Sequence, residues 1–495
     1  MAARLYSAAQ VRELDRRAIE DCGIPGYTLM QRAAQAAWRA ARARWPAVTR
    51  LAVLCGPGNN GGDGYLLARL ALADGCRVQV FECEALPRQG DGLTARQAWL
   101  AVGTVQRWSA AAEAELDSAE LIVDALYGIG LSRAPEGDTA AAISATRRAH
   151  ASGCAVLALD IPSGLIADTG AAPGAVIDAD LTVSFIALKI GLLTGQGPAL
   201  CGQLELATLE VPDVVHAGMR PIASRIDASE LRGWLPRRSR SGHKGDHGHV
   251  LLIGGDAGMV GAILLAGRAA LRAGAGLVTL ATRTAHAPLL AAAQADLMVR
   301  GVESADALQL LIAKADVIAI GPGLGTGDWS RAMFATAVAA AQPLVVDADA
   351  LNLLAQQTTP IRRDDWLLTP HPGEAGRLLG CDTATVQRDR IAAVQALQAR
   401  YGGAVVLKGA GSLIVDGAGL RLCPYGNPGM GVGGMGDVLT GISAAFLAQG
   451  LTLGIAAAAA VTVHARAGDA AAAAGGERGL IASDVVDALH RQVNP

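Results

Sequence analysis

Short apolar runs alternate with helical stretches along this chain, and they do so in two separate rounds. In the first half, the runs at residues 50–55, 77–81, 121–124, 155–160 and 181–185 read as buried strands. Helical stretches at 62–74 and 139–151 lie between them. Two helices come earlier: Ser7 is placed to cap one running to about residue 21, and a second over 27–44 is stopped by Pro46. Strand–helix alternation of this kind predicts a parallel sheet with helices on both faces. The pattern restarts at 249–253 and continues with strands at 276–281, 316–320, 344–347, 366–369 and 404–408. Helices are expected there over 261–273, 329–341, 383–399 and 436–449. Between the two rounds, residues 211–240 hold Pro212, Pro221, Pro236 and a burst of charge, which puts a domain boundary near 212–230. Two α/β domains, 1–220 and 221–495, are the expectation. A length of 495 residues agrees, being too great for one ordinary core.

Composition narrows the function classes. Glycine is abundant at 61 residues and aromatics make up only 3%, which suits close helix–sheet packing and not an aromatic nucleic-acid platform. The formal net charge is −3, so no global basic field attracts nucleic acid or anionic lipid. A basic stretch at 237–244 reads as a solvated loop. The eight cysteines contain no Cys-x-x-Cys pair, which removes support for zinc or thioredoxin chemistry, and Cys55 reads as a reduced core thiol. The N-terminal residues lack a signal-peptide apolar stretch, and the Ala-rich segment 451–463 reads as a buried helix, not a membrane span. A cytoplasmic protein is expected, with no membrane or nucleic-acid partner.

Polar groups cluster where a parallel sheet would bind a ligand. Cys55-Gly-Pro-Gly-Asn-Asn-Gly-Gly-Asp-Gly64 follows a strand and precedes a helix, the crevice position at strand carboxyl ends. Its glycines allow close backbone approach and its helix N-terminus offers free N–H groups to phosphate. It lacks the Gly-Lys-Ser/Thr of a P-loop and does not fit the dinucleotide fingerprint. Asp124 ends the strand at 121–124, before Ala-Leu-Tyr-Gly-Ile-Gly130, and Asp160 precedes Ile-Pro-Ser163-Gly. Each acid alone could cap a helix or a turn, but three polar strand ends converging on one crevice favour a site.

In the second half, Gly426-Asn-Pro-Gly-Met-Gly-Val-Gly-Gly-Met-Gly-Asp437-Val-Leu-Thr-Gly441 delivers Asp437 to the first turn of an apolar helix. Backbone N–H groups there can hold a transferring phosphoryl group, and the carboxylate can take a proton from an attacking hydroxyl.

The three N-terminal segments, with Phe185-Ile-Ala-Leu-Lys-Ile-Gly-Leu192, resemble in order and spacing the motifs of the NAD(P)H-hydrate epimerase family over residues 1 to about 215. The resemblance implies a Rossmann-like doubly wound domain. Asn59, Asn60, Gly61, Gly62 and Asp63, with Gly128, Ile129, Gly130, Leu131, Ser132, Arg133 and Ala134, would contact the hydrated cofactor. Asn60, Asp124 and Ser163 would ligate a potassium ion, K+, through oxygen. Asp160 would lie against the substrate, and Lys189 would position it or transfer a proton.

The Gly-Gly-x-Gly-Asp437 arrangement resembles the ribokinase-like superfamily. Ser241-Gly-His-Lys-Gly-Asp-His-Gly248, Met259-Val-Gly-Ala262, Gly321-Pro-Gly-Leu-Gly325, Asp347-Ala-Asp-Ala-Leu-Asn352, Thr369-Pro-His-Pro-Gly-Glu374 and Val405-Val-Leu-Lys-Gly-Ala-Gly-Ser412 narrow the match to its NAD(P)H-hydrate dehydratase branch. The match runs from about residue 225 to 495, with Gly431-Val-Gly standing where Ala-Thr-Gly is frequent. By resemblance, Ala262, Gly323, His371 and Asp437 would face the hydrate. Lys408, Gly409, Ala410, Gly411, Ser412 and Gly436 would hold ADP or ATP, the fused form pointing to ADP. Glu374 and Asp349 are candidates to support Mg2+ through water, and equally for helix caps. Asp437 would deprotonate the C6 hydroxyl, which attacks the terminal phosphoryl, and phosphate would then leave with NAD(P)H restored.

The expected whole is a homo-oligomeric repair enzyme that epimerises (R)- and (S)-NAD(P)HX and dehydrates the (S) form of NADHX and NADPHX, releasing AMP and phosphate. The alternative is a vitamin or sugar kinase with a non-catalytic nucleotide-binding N-terminal module.

Overall fold

The computed structural model describes residues 3–84, 89–116 and 118–495. Its contacts divide into two compact units, Arg4–Ala223 and Ser224–Pro495.

In the first unit seven strands form a wholly parallel sheet. They are β1 (Arg50–Cys55), β2 (Arg77–Glu82), β3 (Val105–Arg107), β4 (Leu121–Ala125), β5 (Ala155–Leu159), β6 (Leu181–Phe185) and β7 (Gln203–Ala207). Their spatial order is β3-β2-β1-β4-β5-β6-β7, so the winding reverses between β1 and β4. The two loops leaving those strands therefore diverge and leave a crevice at the carboxyl edge. Alternate side chains serve two cores. Val53, Val123 and Leu157 pack on one face, and Leu54, Ile122 and Val156 on the other. Such strands appear in sequence as continuous apolar runs, which is why the central ones were recognisable.

Edge strands carry less signal. β3 is short and mostly exposed, and β7 alternates as Gln-Leu-Glu-Leu-Ala; neither was predicted. The helix expected from residue 62 begins at Asn59, so Asn59–Asp63 form its first turns instead of a loop. Glycine permits this early start, because a Cβ at Gly61 would lie 2.1 Å from the Gly56 carbonyl and one at Gly64 would lie 2.6 Å from the Ala125 Cβ. Ser7 caps Ala8–Glu20 in a capping box with Gln10, and Gly26–Arg44 stops just ahead of Pro46.

The second unit contains β8 (Ala223–Arg225), β9 (His249–Ile253), β10 (Leu277–Thr282), β11 (Met298–Gly301), β12 (Val317–Ile320), β13 (Leu344–Val346), β14 (Trp366–Leu368), β15 (Ala404–Leu407), β16 (Ser412–Asp416) and β17 (Gly419–Cys423). Their order is β11-β10-β9-β12-β13-β14-β15-β16-β17-β8, parallel except where β16 pairs with β15 and β17. The β16–β17 hairpin was missed; Asp416 pairs with Gly419 across a two-residue Gly417-Ala418 loop, which lacks the central Asn-Gly or Asp-Gly of the commonest hairpin signal. The single helix expected over 383–399 is two, Thr383–Arg388 and Arg390–Tyr401, because the extended Asp389 accepts a hydrogen bond from the Ala392 N–H and caps the second.

Helices Val260–Arg272, Met435–Ala448, Leu453–Gly475 and Ala482–Gln492 share one core. The alanine-rich stretch lies in the third of them, with Ala456–Ala460 wholly buried. Those alanines are core and offer no subunit surface. Among the described residues no helix is long and apolar enough to cross a membrane.

Gly441 sets the spacing of two of these helices: a Cβ there would lie 2.1 Å from the Ala266 carbonyl and 3.0 Å from the Ala269 Cβ. Gly441→Ala should therefore destabilise the second unit by about 1–3 kcal/mol through overpacking. Calorimetry should show its transition lowered while that of the first unit stays in place.

Candidate functional sites

At the carboxyl edge of the first sheet a cavity of about 990 Å³ opens. Asn59, Asn60, Asp63, Gly128, Ile129, Gly130, Leu131, Ser132, Arg133, Ala134 and Asp160 all line it. Gly61 and Gly62 do not. Gly61 is turned onto Gly56, and a Cβ at Gly62 would lie 2.6 Å from the Met30 thioether. They let the helix start sit against its neighbours and act behind the wall.

Asp160 follows β5 with φ +67°, a left-handed backbone that an aspartate tolerates only when its surroundings hold it. Here the Asp160 N–H donates to the Val183 carbonyl at 2.8 Å, and its Oδ1 accepts from the Phe185 N–H at 3.0 Å. The Lys189 ammonium, 0% exposed, donates to the same Oδ1, to Ser184 Oγ at 3.0 Å and to the Phe185 carbonyl at 3.0 Å. Asp160 Oδ2 is left towards the loop, 3.5 Å from where a Cβ on Gly128 would stand.

Behind that loop Asp124 is wholly buried. It accepts hydrogen bonds from Ser163 Oγ at 2.6 Å, the Ser163 N–H at 2.7 Å and the Leu126 N–H at 3.2 Å. Burial still pushes its carboxyl up to about 6, against the lowering effect of these bonds. Ser163 Oγ also accepts from the Tyr127 N–H at 2.8 Å. The next residue, Gly128, abuts Asn60, so one loop spans all three predicted potassium ligands. Asn60 is 7% exposed, and among the described residues neither its amide oxygen nor its amide nitrogen has a hydrogen-bond partner. A buried amide in that condition fits a cation-binding role.

In the second unit the polar residues follow strand ends again. Asp347, after β13, is 1% exposed and accepts from Lys408 Nζ at 2.7 Å and Thr440 Oγ1 at 2.8 Å. Ala348 then takes φ +48°. Lys408 follows β15 and lies 3.8 Å from Glu374 Oε2. Burial alone would raise Asp347 and lower Lys408, but their attraction reverses both directions, so the pair is ionised. A Cβ at Gly436 would fall 3.1 Å from Lys408 Nζ and 3.2 Å from Asp347 Oδ2. That brings the glycine loop and the ion pair together. Asp437, in the first turn of its helix, is pushed up to about 7 by burial and then by the negative charge of Asp347, with Lys408 opposing.

The other predicted residues divide. Gly323, at φ +58°, lies against Ala262, with a Cβ position 3.2 Å from the Ala262 Cβ. His371 is an N-cap whose Nδ1 accepts from the Gly373 N–H at 2.9 Å, and burial and then Lys408 lower its pKa. Glu374 Oε2 accepts from the His371 N–H at 2.8 Å, and Asp349 Oδ2 from the Gly325 N–H at 2.8 Å. Both acids thus perform structural work; Asp349 Oδ1 also accepts from Asn352 Nδ2 at 3.4 Å, and Glu374 Oε1 lies 3.4 Å from His371 Nε2. Ser412 Oγ donates to the Gly409 carbonyl at 2.9 Å, folding the 408–412 loop on itself.

Sequence reading missed Asp347, Thr440 and Arg390. The buried Arg390 donates to the carbonyls of Leu407 at 3.3 Å and Lys408 at 3.2 Å, fixing the base of that loop. For Asp347 a signal existed, since it directly ends an apolar run as Asp124 does. For Arg390, within an amphipathic helix, there was none.

A family model described as NAD(P)H-hydrate dehydratase matches residues 250–491, and one described as YjeF-related protein N-terminus matches residues 26–191. The chain is 46% identical over 495 residues to a bifunctional NAD(P)H-hydrate repair enzyme of Coxiella burnetii, covering 99% of each. It is 44% identical over 493 residues to one of Escherichia coli, covering 99% of this chain and 94% of that one. A solved ribokinase-like superfamily protein of Enterococcus faecalis superposes with a TM-score of 0.50 at 31% identity, covering 54% of this chain and 94% of its own.

Asp347→Asn should leave the Lys408 ammonium without its main counter-charge. We expect a loss of about 3–5 kcal/mol from the second unit, as for other broken buried pairs. Thr440→Ala, removing one neutral donor, should cost about 1 kcal/mol. Denaturant titration of the two variants should keep that ranking.

Proposed function

The chain belongs to the bifunctional NAD(P)H-hydrate repair enzymes, and on that premise we propose how its two sites divide the work. It is an epimerase and a nucleotide-dependent dehydratase in one polypeptide. In our reading the first unit inverts C6 of the hydrated nicotinamide ring. The cavity of about 990 Å³ suits a dinucleotide-sized ligand. Asn59, Asn60, Asp63 and residues 128–134 would hold it, with Gly61 and Gly62 seating the helix start behind them, and Asp160 with Lys189 would serve acid–base transfer at C6. Asn60, Asp124 and Ser163 would hold K+, whose charge would steady the oxygen at C6. The orphaned Asn60 amide supports this set.

The second unit removes the C6 hydroxyl. Hydroxide leaves poorly, so the oxygen is first phosphorylated. Asp437 takes the hydroxyl proton, and the oxygen attacks the terminal phosphoryl of ADP, or less readily ATP, releasing AMP in the ADP case. Phosphate then departs as the N1 electrons form an N1=C6 bond, and loss of a C5 proton gives NAD(P)H. The amides of the glycine loop would receive the phosphoryl charge, with Lys408, Gly409, Ala410, Gly411, Ser412 and Gly436 around the nucleotide. Mg2+ would neutralise the phosphates, supported through water by Asp349 and Glu374. Ala262, Gly323 and His371 would face the hydrate. The observation that carries this reading is Asp437, a half-buried carboxyl beside the Lys408–Asp347 pair and at the head of a glycine-flanked helix. We also read the enzyme as cytoplasmic, as a homo-oligomer and as acting on small molecules alone, consistent with a net charge of −3.

The decisive test adds enzyme, Mg2+ and ADP, or separately ATP, to an epimer mixture of NADHX and follows the NADH absorbance band. Full recovery, faster with ADP, is expected; a stable phosphorylated product without NADH would return the kinase alternative. Asp437→Asn should slow dehydration at least about 100-fold and leave epimer exchange intact. A base works ionised, so the dehydration rate should rise with pH through about 7 and level off above it.

A further inference from the structure

One wall of the first cavity comes from a helix that the sequence reading did not connect with chemistry. Ala8–Glu20 lies outside the span matched by the family model, residues 26–191. Its flank carrying Val11, Arg12, Asp15 and Ile19 lines the cavity. The helix is held firmly in place. Besides its capping box, the Ala8 N–H donates to Asp168 Oδ1 at 2.6 Å, and Arg17 Nη1 donates to the carbonyls of Val215 at 3.2 Å and Ala217 at 3.0 Å. One turn before Asp15, Arg12 Nη2 donates to the Ile129 carbonyl at 3.1 Å, locking the helix to the 128–134 loop. Asp15 is therefore presented at a fixed position over the substrate loop. No hydrogen bond or ion pair engages its carboxyl among the described residues.

We propose that Asp15 is a further catalytic residue of the epimerase site, the carboxyl that gives its proton to the departing C6 oxygen. The proposal rests on the epimerase reading above. The C6–O bond breaks as the N1 lone pair forms N1=C6, and the Asp15 proton converts the leaving hydroxide to water. A second water adds to the other face of C6, and its proton passes to Asp160 Oδ2, the oxygen that Lys189 leaves open. Atoms balance, nothing is oxidised, and the exchange of solvent protons resets the two carboxyls. Asp15 and Asp160 stand on different elements, a helix wall and a strand end, as delivery to opposite faces of one carbon requires.

The charges around Asp15 favour its protonated form. Burial raises its pKa, then the negative charges of Asp160 and Asp91, with Lys189 opposing. Asp63 faces it too, and is itself pushed well up by burial, Asp160 and Asp15. Arg12, on the same helix, is committed to the Ile129 carbonyl.

The test starts from one purified epimer of NADHX without nucleotide and follows appearance of the other by chromatography. Asp15→Asn should lower kcat for epimerisation by about 10²–10⁴-fold, with KM within about threefold, and should abolish the fall in wild-type rate as pH rises and Asp15 ionises. Asp15→Glu should recover part of the rate. Dehydration of the (S) epimer by the same preparation reports an intact second unit, and an unchanged calorimetric transition of the first unit reports its folding. Wild-type kcat in Asp15→Asn, or a raised KM with kcat and pH profile unchanged, would overturn the proposal. Failure of the wild type to exchange epimers would instead remove the epimerase reading itself.

Discussion

A carboxylate buried at the end of a strand cannot stay ionised alone, and both units meet this with a lysine from a later strand end. Removing an ion from water costs several kcal/mol even after relaxation, and only a close counter-charge with further hydrogen bonds offsets it. Lys189 serves Asp160 in this way, with Ser184 and Phe185 taking its other protons. Lys408 serves Asp347, with Thr440 on the second carboxylate oxygen. Everything near the two sites is placed against these pairs. Gly128 closes on Asp160 and Gly436 on the Lys408–Asp347 pair, each so near that a side chain there would meet the charged atoms.

The ion pairs in turn set the protonation of neighbouring acids. A fixed negative charge in a low-dielectric setting disfavours a second one nearby, which raises the next carboxyl. Asp437 and Glu374 both reach about 7 by burial in the first place and by Asp347 in addition. They differ in what they touch. Glu374 is tied to the backbone of His371, whereas among the described residues no hydrogen bond ties the Asp437 carboxyl at the helix head, which makes it the better placed of the two to exchange protons.

Much of this was legible because parallel strands buried on both faces are nearly uniform in hydrophobicity. The runs 50–55 and 181–185 fall on β1 and β6 without a shift. The glycine-rich segments announced close backbone approaches, and Asp437 was marked by the loop before it. What stayed hidden depends on relations between distant segments. The choice between Asp347 and Asp349 is one case: Ala348 turns into a left-handed backbone, sending Asp347 into the ion pair and Asp349 to the Gly325 N–H. Asp15 is another. Val11, Leu14 and Ala18 reveal a core-facing stripe, but no local pattern says that the flank beside it borders a cavity.

The left-handed residues sit where the two chemistries need them. Asp160 itself is at φ +67° after β5, and Ala348, next to Asp347, is at φ +48° after β13. Neither is a glycine, so each conformation costs of order 1–3 kcal/mol and must be imposed by its surroundings. Both carboxylates meet a lysine from a later segment: Asp160 from a left-handed backbone, and Asp347 from an extended one at φ −138° and ψ 169°, with the left-handed residue coming next at Ala348. The same device serves related demands on one atom. The epimerase breaks and remakes the C6–O bond, and the dehydratase turns that oxygen into a leaving group. Both need an acid–base carboxyl whose proton affinity is set by a charge that does not move. In the second unit the Lys408–Asp347 pair provides that charge and the looser Asp437 carries the proton, whereas in the first the buried Lys189 ammonium is the fixed charge and Asp160, with Asp15, exchanges protons.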